Sequence, residues 1–217
     1  MNKQQVLVIT GMHRSGTSLV TGLLQQAGVD IGQTLLPANR GNPYGYLEDT
    51  DFLDFQKQVL RARGLDMFVT QPIDFVPTGT ETARARSLIE ARAGKLLWGW
   101  KDPRTSLFVD FWAQLLPEAH YVFLYRPPID VVISLMRRGD FSANGRIELG
   151  LQSWCVYNES IVRFVEENRG NCLLAHIYGV ADQPESFITR LCSQLQLDLP
   201  QQNADSLGHY HPENLMR

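Results

Sequence analysis

Residues Val6-Leu7-Val8-Ile9-Thr10 form an aliphatic, β-branched run, and a glycine follows at once. A strand without polar alternation has no solvent face, so it belongs in the interior of a parallel sheet covered on both sides. Gly11 to Gly16 reads as a loop, and Thr17 to Ala27 as a helix with Leu19, Val20, Leu23 and Leu24 on one face and Gly28 as its stop. Strand, glycine loop and helix in that order are the opening unit of an α/β fold.

The same alternation continues along the chain. Further strands are predicted at Leu96–Trp100, His120–Tyr125 and Cys172–Ile177. Helices are predicted at Thr50–Arg63, Thr82–Ala93, through Phe108, Phe111, Trp112 and Leu115, from Pro128 to Arg137, at Ile147–Glu167, and from Pro184 through Leu195. Residues Gly32 to Asp49 hold three glycines and two prolines, which makes a long irregular segment of the functional kind. The expected architecture is a three-layer α/β sandwich with a central parallel sheet flanked by helices, like the P-loop NTPases. With no linker, repeat or low-complexity tract, residues 1–217 read as a single domain, and the tail after Pro200 as loose.

Composition removes several function classes. A net charge of −3 argues against bulk attraction to nucleic acid or an anionic membrane, so an anion site must come from local Arg and Lys. No apolar run approaches the ~20 residues of a membrane span, and the short polar start does not lead a secretion signal. Cys155, Cys172 and Cys192 have no CxxC spacing, so packed thiols in a reducing cytoplasm are expected rather than a disulfide framework or zinc cluster. His209 and His211 have no carboxylate set beside them, and no metal is expected.

Ligands of such sheets bind beyond the carboxyl ends of the strands. Past the first strand stands Gly11-Met12-His13-Arg14-Ser15-Gly16-Thr17-Ser18. Its glycines let successive N–H groups turn toward an anion at a helix start. A nucleoside-triphosphate loop carries Lys after the second glycine, to reach the β and γ phosphates. Here Thr17 occupies that place and the positive charge sits inside the loop, at Arg14. The swap favours one condensed anionic group over a metal-bound triphosphate.

This octapeptide resembles the 5′-phosphosulfate loop of sulfotransferases that use 3′-phosphoadenosine 5′-phosphosulfate (PAPS), where cytosolic members carry Lys-Ser-Gly-Thr-Thr. The resemblance aligns Arg14 with the lysine and matches Ser15, Gly16 and Thr17, with Ser18 replacing the second threonine. Arg in place of Lys is similar to the bacterial and glycan-type branches. Beyond the third strand, Arg126-Pro127-Pro128-Ile129-Asp130-Val131-Val132-Ile133-Ser134 resembles the family's 3′-phosphate motif, with Ser eight residues past the Arg and Pro127 replacing the usual Asn. Ala175 to Val180, Asp182-Gln183-Pro184 and the helix after them are similar to the family's fourth-strand segment and closing helix. The likeness spans roughly residues 5 to 198, and the cytosolic members' C-terminal Arg-Lys-Gly loop is not visible.

The resemblance implies that Arg14, Ser15, Gly16, Thr17 and Ser18 hold the phosphosulfate, that Arg126 and Ser134 hold the 3′-phosphate, and that PAP is the spent product. The second strand ends in Trp98-Gly99-Trp100-Lys101-Asp102-Pro103-Arg104, similar to the cytosolic Lys-Thr-His, with Pro103 where the histidine base stands. Lys101 and Arg14 can serve the charge of the transferring group. Three groups are candidates for the base. Glu48 in the long loop is favoured, since glycan-type members use a glutamate; Asp102 is otherwise a salt-bridge partner for Lys101, and His13 otherwise a turn residue. The structure-only readings are a solvated helix-start carboxylate for Glu48, a helix cap for Arg104, a solvated helix end for Arg137-Arg138, and core or cleft wall for Trp98, Trp100, Trp112 and Trp154.

The expected reaction is in-line transfer of a sulfuryl group to a hydroxyl of a small molecule or glycan. A P-loop kinase is the rival; it needs a Lys after Gly16, although Asp102 can fill its second-strand carboxylate. A degenerate PAP-binding member is the third reading, since the usual histidine is missing.

Overall fold

The computed structural model describes residues 4–38, 45–140 and 147–200. Asn42, Pro43 and Tyr44 of the long segment, and His209 and His211 of the tail, lie outside the described residues. Four strands, β1 (Gln5–Thr10), β2 (Leu97–Lys101), β3 (His120–Tyr125) and β4 (Cys172–His176), form one sheet in the order β2-β1-β3-β4. Every pairing is parallel, with Val8 opposite Trp100 on one side and Tyr121 on the other.

The helices are α1 (Thr17–Gln26), α2 (Thr50–Ala62), α3 (Gly79–Glu90), α4 (Val109–Leu115), α5 (Pro128–Arg138), α6 (Ile147–Glu167), α7 (Ile177–Asp182) and α8 (Pro184–Leu195). Alternate strand residues feed two separate cores, as period-two geometry requires. Val6, Val8, Trp98, Trp100, Tyr121 and Phe123 pack with α2, α4, α5 and α6 on one face. Leu7, Ile9, Val122, Leu124 and Leu173 pack with α1, α7 and α8 on the other. The first face is rich in rings: Phe52 stacks on Trp100 at 4.3 Å between centroids, and Trp112 lies 4.9 Å from Trp100.

The elements depart from the sequence reading in three places. Helix α3 begins at Gly79 rather than Thr82, because Thr78 and Glu81 close a reciprocal capping box. The stretch before α4 is a 3₁₀ turn, Pro103–Phe108, capped by the Asp102 side chain. Strand β4 stops at His176, one residue short of the expected end, and Ile177 starts a six-residue helix where the resemblance extends the strand segment to Val180.

The topology positions the site. The chain leaves β1 for α1 on one face and leaves the adjacent β3 for α5 on the other. A crevice opens where neighbouring strands send the chain to opposite faces. Gly11 lets the loop enter that crevice: a Cβ there would sit 2.2 Å from the Leu124 carbonyl oxygen.

Candidate active site

The loop after β1 is anchored from below. Met12 is buried in the aromatic core, and the Ser15 N–H donates to the Met12 carbonyl at 3.1 Å. Arg14 adopts φ 68°, a left-handed conformation uncommon outside glycine and concentrated at functional sites. Gly16, at φ 85°, is the N-cap of α1 and brings no side chain to cap its first turn. The Ser15 hydroxyl is fully buried and has no partner among the described residues.

Arg14 reaches across to the second motif. Its Nε donates to Ser134 Oγ at 2.8 Å, and burial lowers its pKa, helped by Arg138 and Arg126. Arg126, itself buried, donates through Nη1 to the Arg14 carbonyl at 3.2 Å and through Nε to the Tyr178 hydroxyl at 3.2 Å. Tyr178 in turn donates to Asp130 at 2.7 Å, and Trp154 Nε1 donates to the Arg126 carbonyl at 2.9 Å. Residues more than a hundred positions apart therefore meet at one place, with Ser134 hydrogen-bonded directly to Arg14.

Beside this lies a buried charge cluster at the end of β2. Lys101 is 1% exposed; its Nζ donates to Glu48 Oε1 at 2.8 Å and to Ser18 Oγ at 3.3 Å. Ser18 Oγ donates to the Tyr46 carbonyl at 3.0 Å, which ties the segment carrying Glu48 to the anion loop. Asp102 pairs not with Lys101 but with Arg104, at 2.9 Å, and Arg104 also lies 4.0 Å from Glu48. Burial pushes the Asp102 carboxyl up, against the pull of Arg104, and its second oxygen is buried without a partner among the described residues. Thr10 Oγ1 donates to the Asp102 carbonyl at 2.8 Å, joining the tip of β1 to this cluster.

Several structure-only readings change here. Glu48 is not solvated at the helix start; it is 5% exposed, and its neighbour Asp49 caps α2 instead. Arg104 is held by the cap rather than making it. Arg138 is half-buried and paired to Asp140 at 2.5 Å, whereas Arg137 is exposed as read. Trp98, Trp100 and Trp112 are core, whereas Trp154 is half-buried against Arg126. Tyr178 was missed as a site residue, although it stands two positions past a strand end, where ligands of this architecture bind.

Among the described residues no group of His, Cys, Asp and Glu is set to hold a metal, and no helix is long and apolar enough to cross a membrane. A cavity of about 520 Å³ lies apart from the loop, lined by Phe75, Phe108, Phe111 and Arg163 among others and by none of the residues of the charge cluster.

A model of the sulfotransferase family matches residues 7–201. Among solved structures, a sulfotransferase from Mycobacterium avium is similar at 15% identity and a TM-score of 0.60, over 97% of this chain and 69% of that one. The sulfotransferase domain of the Synechococcus PCC 7002 olefin synthase gives 15% and 0.58, over 100% and 84%. A sulfotransferase from Alicyclobacillus acidocaldarius gives 13% and 0.55, over 95% and 89%. No curated protein matches the chain in sequence.

Proposed function

Since the chain belongs to the sulfotransferase family, we propose that it transfers a sulfuryl group from PAPS to a hydroxyl of a small molecule or glycan. One observation carries this reading. Arg14, Arg126 and Ser134 converge within hydrogen-bond distance, beside the Lys101–Glu48 pair. Two guanidiniums suit a donor with an anionic group at each end, because each can grip oxygens through several N–H groups.

The residues present fit that donor. The Ser15 hydroxyl is a buried polar atom without a partner among the described residues, which an anion held in the loop would satisfy. Ser15, Gly16, Thr17 and Ser18 would cradle the 5′-phosphosulfate at the start of α1, with Arg14 beside it. Arg126 and Ser134 would hold the 3′-phosphate. PAPS supplies an activated sulfuryl group and leaves as PAP.

The chain's own residues do the rest. Glu48 takes the acceptor's proton, since it is the carboxylate hydrogen-bonded to Lys101 at the loop. Lys101 and Arg14 stabilise charge on the transferring group and the leaving oxygen, in the electrostatic manner of an in-line displacement. Asp102 acts through Arg104 as a positioning residue, which keeps that guanidinium 4.0 Å from Glu48. The same reading takes residues 1–217 as one sulfotransferase domain working in the cytoplasm.

Thermal shifts with PAP, AMP and ATP in EDTA test the donor. PAP at 100 times its dissociation constant is expected to stabilise by ~2.7 kcal/mol, with little effect of AMP at the same concentration. Arg126→Ala is expected to abolish that preference, and labelled PAPS with a panel of hydroxyl compounds is expected to give labelled product. Equal shifts for PAP and AMP, or turnover that needs ATP with Mg²⁺, would count against it in favour of the kinase.

A further inference from the structure

His13 is the part of the loop that the donor reading leaves unused. The residue is 5% exposed, and Nε2 is fully buried with no partner among the described residues. An orphaned polar atom of this kind costs about 1–3 kcal/mol, and such atoms persist where a ligand satisfies them. The ring meets Tyr157 edge-on at 6.0 Å. Tyr157 in turn is held by a hydrogen bond from its hydroxyl to the Met67 carbonyl at 3.1 Å.

The surroundings say what this nitrogen does. Burial lowers the imidazole's pKa well below its ordinary value, and Arg104, Arg138, Lys101 and Arg14 lower it further. A proton added here would face four cations, so the ring stays neutral and is a poor base. A neutral imidazole keeps one N–H, and the positive charge around it favours an anionic oxygen at that N–H.

The place of that oxygen follows from the division of labour around the loop. Ser15 to Ser18 and the Arg126–Ser134 side serve the parts that PAPS and PAP share. The group that PAPS has and PAP lacks must face Glu48, because the acceptor hydroxyl has to touch both base and sulfur. His13 lies in the loop that meets that side: Lys101, the partner of Glu48 at 2.8 Å, donates to Ser18 of the same loop at 3.3 Å, and the charges of Arg104 and Lys101 bear on the His13 ring.

We propose that His13 is a catalytic residue whose neutral Nε2–H donates a hydrogen bond to an oxygen of the transferring sulfuryl group. The assignment rests on the donor reading above. No proton is exchanged; the N–H remains on nitrogen while the sulfur–oxygen bond to the leaving phosphate breaks and the bond to the acceptor oxygen forms.

The difference between PAPS and PAP isolates the contact. Dissociation constants for both nucleotides are measured by calorimetry, without acceptor or metal, for the wild type, His13→Ala and His13→Gln. His13→Ala is expected to weaken PAPS about tenfold while leaving PAP within about twofold. His13→Gln, which keeps an N–H, is expected to recover most of the loss and to leave the acidic limb of the kcat–pH profile in place. In the wild type the His13 Nε2 nitrogen resonance is expected to move with PAPS and not with PAP, a readout that needs no variant. Equal loss for the two nucleotides, no loss for either, or a resonance that moves alike with both overturns the assignment. A wild type that binds PAP over AMP while failing these comparisons sinks only the role of His13. A wild type that binds neither nucleotide overturns the donor reading and this inference together.

Discussion

Glu48 and Lys101 are each nearly sealed from water, 5% and 1% exposed, and each is the other's hydrogen-bonded counter-charge. Removing one partner of a buried pair leaves the other uncompensated, which costs about 3–5 kcal/mol. Lys101→Met is therefore expected to lower unfolding free energy by about that amount in urea titrations. Glu48→Gln keeps shape and one hydrogen bond. It is expected to reduce kcat about 10²- to 10⁴-fold while retaining the PAP thermal shift. His13 gives a pH signature through stability. Its folded pKa is depressed, so the unfolded chain binds more protons below the ordinary histidine value of 6.5. The stability it contributes is present above that value and lost as pH falls toward the folded pKa. In paired denaturations between pH 7.5 and 5, the wild type is expected to lose stability relative to His13→Gln, with a limiting slope of about 1.4 kcal/mol per pH unit.

At the scale of elements, strands were legible because they are buried on both faces and spell continuous apolar runs; β1 to β4 fall within a residue or two of their expected ends. Helix boundaries were less so. The Thr78-x-x-Glu81 box was present in the sequence, yet the Arg-rich surface of α3 carries only one buried residue, Ala85, and gives no strong periodic stripe. Thr78→Ala is expected to lower stability by about 1 kcal/mol, measured by chemical denaturation, with PAP affinity unchanged. The 3₁₀ turn escaped because all six of its residues are buried, which erases the polar face that marks a surface helix. In the site, the glycine frame and the strand-end arginines were readable as local pattern. The pairing of Lys101 with Glu48, 53 residues away, was not, because it depends on how two crossovers deliver β2 and the 45–49 segment to one spot. Nor did local pattern show that Asp102 would turn to Arg104.

The whole molecule concentrates cations where its net charge gives no hint of them. The chain carries −3 overall, yet Arg14, Lys101, Arg104, Arg126 and Arg138 gather around the loop at the carboxyl ends of the strands. These side chains supply the positive charge that a triphosphate site draws from Mg²⁺. Sulfuryl transfer is accordingly expected to survive exhaustive dialysis against EDTA at full rate, and PAP affinity to fall as ionic strength rises from 50 to ~500 mM because partly exposed guanidiniums are screened.

Arg92, just past the end of α3, clasps Asp49 at 2.7 Å and Asp51 at 2.8 Å, and lies 5.0 Å over the ring of Phe52. Asp49 is the immediate neighbour of Glu48. The aim of the carboxylate proposed as the base is thus set partly by a strut rooted just beyond an outlying helix, and drift in that region's sequence is expected to retune turnover without altering a single group proposed to meet the donor.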